Sequence, residues 1–227
     1  MNRCIIISII VFCFIEYSYS QNNDVNIKRL ELHIMPLTFA DYTPRLRLGL
    51  EYIQNDKLGY DLEFGFGNYS INKSRLEGMV WTNEYSFFEV RPEVKYYFYR
   101  SGNDLAFYLA TELFYINMSD IFEDDYYHLQ NSSLIVNYDQ AIFNKQKFGI
   151  HLKGGLQAIL LNRLDIDFYC GIGVAYRIIS YKDIINPITE EGEIFYEWIL
   201  PRHKFEGNST MFHITLGCKI GFILWKK

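Results

Sequence analysis

The residues able to do chemistry in this 227-residue chain repeat with a period of two. Arg45, Arg47 and Glu51 share one phase, as do Asp61 and Glu63, and Glu89, Arg91, Glu93 and Lys95 alternate without a break. Glu112, Lys153, Asp167, Arg177 and Lys219 continue the pattern in later segments. Residues two apart point to one face of a strand. In these fourteen positions cations and anions match in number, so in a confined space they can pair off. The pattern therefore predicts a salt-bridged interior, in which losing one partner strands a buried charge.

Other reactive residues carry weaker signals. His33, His151 and His213 share the polar phase, with Glu112 and Lys153 near His151. An imidazole beside an acid suits proton transfer. No His-x-Ser pair and no Gly-x-Ser-x-Gly elbow accompanies them, so satisfied interior histidines are expected. Asp120, Glu123, Asp124 and Asp125 cluster in one connection without the Asp-x-Asn-x-Asp-Gly spacing of a calcium loop. No metal and no cofactor is expected. Cys170 and Cys218 take the apolar phase at equal distance from residue 194, which leaves open a cross-strand disulfide or two small hydrophobes. Tyr126, Tyr127, Tyr181, Tyr196 and Trp198 fall in long connections. There they would either contact an extracellular protein or glycan or fold back on the scaffold.

The elements that must hold these residues are strands. Residues 58–67 read Leu-Gly-Tyr-Asp-Leu-Glu-Phe-Gly-Phe-Gly, apolar at every even position. Comparable alternation covers about 25–35, 43–54, 84–99, 105–116, 148–160, 164–178 and 210–224, giving eight strands and no helical period. Tight-turn connections at 54–57, 100–104 and 161–163 alternate with long polar ones at 68–83, 118–146 and 179–208, while 36–42 is short. The expected architecture is all-β: one antiparallel up-and-down barrel over residues 21–227, with short turns at one end and longer loops at the other. Pro92 lacks a ladder donor and predicts a bulge or a rim position in its strand.

Alternation alone does not say which face is outside. The polar face is rich in glycine (Gly49, Gly65, Gly155, Gly173, Gly217), which weakens a solvated strand but makes room inside a narrow barrel. Aromatic residues gather at strand ends: Tyr96, Tyr97, Phe98, Tyr99, Phe222 and Trp225 near one rim, Tyr85, Tyr115, Phe148 and Tyr176 near the other. Such rings favour membrane–water boundaries. The reading is a transmembrane barrel, apolar outside and ionic within. The first twenty residues support export: Arg3, an apolar run from Cys4 to Ile15, then Ser18 and Ser20 as small residues before a cut after Ser20. No later run is long enough for a membrane helix. Composition agrees. With 49% hydrophobic and 22% charged residues the chain is not disordered, and its net charge of -5 argues against nucleic acid as a partner. Its 19 Tyr and 18 Phe suit strands and wet–dry boundaries.

Several stretches go further: Leu48-Gly-Leu-Glu-Tyr, Arg91-Pro-Glu-Val-Lys-Tyr-Tyr-Phe, Gly149-Ile-His-Leu-Lys-Gly-Gly and Thr215-Leu-Gly-Cys-Lys-Ile-Gly-Phe. On these, residues 26–224 resemble the small outer-membrane β-barrel proteins of Gram-negative bacteria, OmpX-like or of undefined role. The resemblance implies an outer-membrane location, outer-membrane lipid and lipopolysaccharide around the barrel, and the barrel assembly machinery as a partner. Such barrels usually end on an aromatic residue, whereas here Trp225 is followed by Lys226 and Lys227. The expected role is structural, or recognition and adhesion at the cell surface, with a closed interior. Two alternatives stand beside it. A lipid A deacylase or acyltransferase would need a histidine with a hydroxyl or carboxylate at one rim, facing lipid. A soluble periplasmic barrel would enclose an apolar ligand.

Overall fold

A computed structural model describes residues 28–41, 43–68, 85–101, 105–130, 132–191 and 204–227. The leader expected over 1–20 lies outside them. The described residues form β1 (Arg29–Ile34), a 3-10 turn (Pro36–Ala40), β2 (Leu46–Ile53), β3 (Leu58–Asn68), β4 (Ser86–Ser101), β5 (Leu105–His128), β6 (Leu134–Leu160), β7 (Leu164–Ile185), β8 (Ile188–Glu191) and β9 (Gly207–Lys226). Each of β1 to β6 pairs antiparallel with the next, and β9 pairs with both β7 and β1. A ring of eight strands thus closes, and β8 is added to the far end of β6. Closure gives strands that would otherwise be edges a partner.

The ring closes with a stagger. From Ile53 the register runs through Gly59, Lys95, Ala110, Lys153 and Gly171 to Thr215. In the other direction Ile53 leads through Arg29 to Lys226. That offset along β9 is what tilts the strands about the axis. At the end with the short turns, the backbones of Lys28 and Lys227 exchange hydrogen bonds of 3.0 and 2.8 Å.

Leu50, Phe64, Val94, Leu109, Leu152, Phe168 and Leu216 point outward and are exposed, while Arg47, Glu63 and Lys219 point to the axis and are buried. The orientation expected from glycine and charge is the one observed.

Three expectations need correction, and one open alternative is decided. The connection expected over 118–146 is mostly strand: β5 runs to His128 and β6 begins at Leu134. With the upper part of β7 they form an extension whose inner side is apolar (Phe122, Val136, Tyr138, Phe143, Ile179, Tyr181). The acidic cluster beginning at Asp120 therefore lies on a strand. Pro92 makes no bulge. It faces outward opposite Leu62, and the β4–β5 ladder resumes in the same register after it. The bulge falls between Tyr97 and Tyr99. Tyr85 and Tyr97 do not belong to an outward girdle: both are buried, and the Tyr85 hydroxyl donates to the Pro44 carbonyl at 2.5 Å. Finally, Cys170 pairs with Leu216 and Cys218 with Phe168, two residues out of register, and both thiols are free.

Candidate functional site: the charged lumen

The inward side chains of β1 to β7 and β9 meet in three tiers. Nearest the short turns, Lys95 Nζ lies 2.7 Å from Glu51 and 2.8 Å from Asp167. Tyr97 donates to Glu51 at 2.5 Å and Tyr108 to Asp167 at 2.7 Å. Beside this tier Arg29 pairs with Glu31, and Gln157 donates to Asp165 at 3.1 Å. In the middle, Lys219 Nζ sits 2.6 Å from Asp61, 2.6 Å from Glu63 and 3.3 Å from Glu93. Lys153 bridges Glu93, at 2.5 Å, and Glu112. The ammonium groups of Lys153 and Lys219 also stand over the Tyr169 ring, 4.3 and 5.4 Å from its centre.

The third tier is richer in arginine. Glu89 receives Arg45 at 2.7 Å, Arg91 at 2.8 Å and Arg47 at 3.7 Å, while Arg91 also reaches Glu112 at 2.9 Å. Arg45 contacts Asp41 at 2.7 Å, and Arg47 lies 3.4 Å from Glu63. Ion pairing this dense lets buried charges offset part of their desolvation, although some buried atoms, both Glu63 carboxylate oxygens among them, accept no hydrogen bond.

Thirteen of the fourteen charged residues anticipated for the interior join this lattice; Arg177 does not. It is half-buried higher up and donates to Ser209 Oγ at 3.1 Å. The lattice also uses Tyr97, Tyr108, Tyr169 and His33, which share the polar phase and were legible there. Glycine makes the room. The Tyr108 ring lies against Gly155 and the Tyr169 ring against Gly217, where any Cβ would collide with them.

One trio, His33, Glu51 and Asp61, places ligand-type atoms within 4.8 Å of one another. Lys219 already neutralises Asp61 and Lys95 neutralises Glu51, so lysine supplies the charge an ion would bring. The histidines form a chain: Glu112 contacts His151 Nδ1 at 2.7 Å, and His151 Nε2 contacts His213 Nδ1 at 2.6 Å. Phe114 stacks on His151 with ring centres 4.5 Å apart. All three histidines of the polar phase face the lumen.

The aromatic residues offered for recognition are placed differently from expectation. Tyr127 and Tyr181 lie on strands and are buried, their rings stacked at 4.2 Å and 8°. Burial, with Tyr138 and Asp125 alongside, pushes the Tyr181 phenol well above its ordinary pKa and keeps it neutral. Tyr126 is half-buried beneath the Lys204 ammonium, 3.6 Å from its ring centre. Tyr196 and Trp198 lie outside the described residues.

Among solved structures, the N-terminal β-barrel domain of Pseudomonas aeruginosa OprF is similar at 13% identity and a TM-score of 0.44, over 89% of this chain and all of that one. A major outer membrane protein from Thermus thermophilus is similar at 13% identity and 0.43, over 87% of this chain and 99% of that one. Acinetobacter baumannii CarO is similar at 11% identity and 0.38, over 91% of this chain and 100% of that one. At these values no property of those proteins passes to this chain. No curated protein matches it. Residues 7–203, well over half of the chain, match a family described only as a protein of unknown function, DUF3575, and the chain belongs to that family.

Proposed function

We propose that the protein is an outer-membrane β-barrel whose lumen is closed by its own ion lattice, and that its role at the cell surface is structural or one of recognition and adhesion. The supporting observation is the inversion of a soluble core: a continuous belt of exposed Leu, Ile, Val and Phe surrounds buried Arg, Lys, Asp and Glu. In water that belt would be an apolar patch far larger than monomers tolerate. In hydrocarbon it is solvated, and a closed barrel leaves little backbone unsatisfied. Outer-membrane lipid, lipopolysaccharide and the barrel assembly machinery are the partners this reading implies. The β5–β7 extension, with Tyr126 on it, is the surface for a protein or glycan. An OmpX-like affiliation rests on the strand pattern and the short resembling stretches alone. The same inversion disfavours a soluble barrel with an apolar lumen. A lipid A enzyme would need a lipid-facing histidine, whereas His33, His151 and His213 point inward.

Eight strands leave a lumen just wide enough for side chains, and here charged pairs span it. Planar-bilayer recording of the purified chain is therefore expected to show no steady conductance at neutral pH. Stable, voltage-independent steps would contradict closure.

A further inference from the structure

The barrel wall is incomplete on one side. β1 ends at Ile34 opposite Ile220, whereas β9 continues beyond Ile220 to Gly207. β7 pairs with β9 along that whole length. On the β1 side, among the described residues, no backbone hydrogen bond meets β9 between Asn208 and Lys219. The chain leaves the wall there as the 3-10 turn, with Leu37 and Phe39 51% and 41% exposed. A cavity of about 410 Å³ occupies the breach.

Its two walls differ in chemistry. The outer wall is Leu37, Ile214 and Leu216, all on the apolar outside; Ile214 and Leu216 are 64% and 72% exposed. The inner wall carries Arg45, Arg47, Arg91, Lys145 and Lys147, against Asp41 as the one lining acid among the described residues. The three arginines share Glu89 and reach Asp41, Glu63 and Glu112 besides, whereas among the described residues Lys145 forms no ion pair. Positive charge is thus in excess on the lumen side of a gap that opens toward hydrocarbon. An unpaired strand edge in hydrocarbon also needs acceptors for its N–H groups.

We propose that this breach takes the phosphate-bearing headgroup of a membrane lipid, entering sideways, with its acyl chains against Phe212, Ile214 and Leu216. The inference rests on the membrane-barrel reading. Guanidinium and ammonium groups are the usual partners of phosphate, and the gap allows the tails to stay in the bilayer.

The test places the full chain in nanodiscs of phosphatidylcholine containing a minority of phosphatidic acid and releases it into native mass spectrometry. Wild type is expected to retain phosphatidic acid in preference to phosphatidylcholine. Replacing both Lys145→Ala and Lys147→Ala should lower the retained fraction about tenfold, with heat-modifiable gel mobility unchanged. If that double variant fails to fold, Lys145→Gln alone decides. Inorganic phosphate in the buffer should not displace the lipid. Equal retention of both lipids, retention unaffected by the substitutions, or displacement by inorganic phosphate would each overturn the proposal, the last by making the cavity a free-anion site. A chain that does not enter the disc at all would instead refute the membrane reading.

Discussion

Lys219→Ala is expected to destabilise the folded barrel by about 3–5 kcal/mol, the cost of removing one partner from a buried ionic group. Lys219 is fully buried and serves three carboxylates at once: Asp61, Glu63 and Glu93. Without it, three negative charges face one another where water cannot screen them. Pairing Lys219→Met with Asp61→Asn should recover part of the loss, because Glu63 keeps Arg47 and Glu93 keeps Lys153. Urea titration in lipid vesicles, read by heat-modifiable mobility, measures both variants. A loss below about 1 kcal/mol would mean that the carboxylates are solvated and the lumen is wet.

The second large effect is steric. A Cβ on Gly173 would strike the Ile150 carbonyl oxygen and the Cα of His151, which belong to the backbone of β6 and cannot turn aside. Gly173→Val should therefore open the β6–β7 pairing and pull His151 away from Glu112 and His213, abolishing the heat-modifiable form. Gly154→Ala is the control. Its Cβ would meet only Leu109, at 3.9 Å, so stability should stay within about 0.5 kcal/mol of wild type. A folded Gly173→Val barrel of wild-type stability would show that this wall has room to spare.

Much of this architecture was legible because the pleat of a strand imposes a period of two and a narrow barrel needs small inward residues. Glycines such as Gly155 and Gly217 in the polar phase marked a crowded interior, and the structure shows which rings, Tyr108 and Tyr169, take the room. What the period could not give was partnership across the lumen. Lys95 meets Asp167, and Lys219 meets Asp61, because the stagger of the closed ring brings them to one height. Phase names the face, while the stagger chooses the neighbour. Of the two readings open for Cys170 and Cys218, the disulfide falls away for the same reason, since equal spacing about residue 194 does not fix register.

The strand extension was missed for a different physical cause. Within the belt, β6 sends Phe148, Ile150 and Leu152 outward. Above it, Ala141 and Phe143 point inward and are buried. The apolar set thus moves from even to odd positions as the solvent outside changes character, and the even-position pattern breaks although the strand continues. The breach beside β9 was hidden as well. Residues 36–42 looked like an ordinary short turn, and only the contrast between the short β1 and the long β9 exposes it.

Everything rests on hydrocarbon being the solvent of the outward face. The most direct measurement is refolding of the urea-denatured chain in plain buffer and in detergent micelles, followed by unheated gel electrophoresis and light scattering. A compact, heat-modifiable monomer is predicted only with micelles, and aggregation without them. A monodisperse folded monomer in plain buffer would contradict the account.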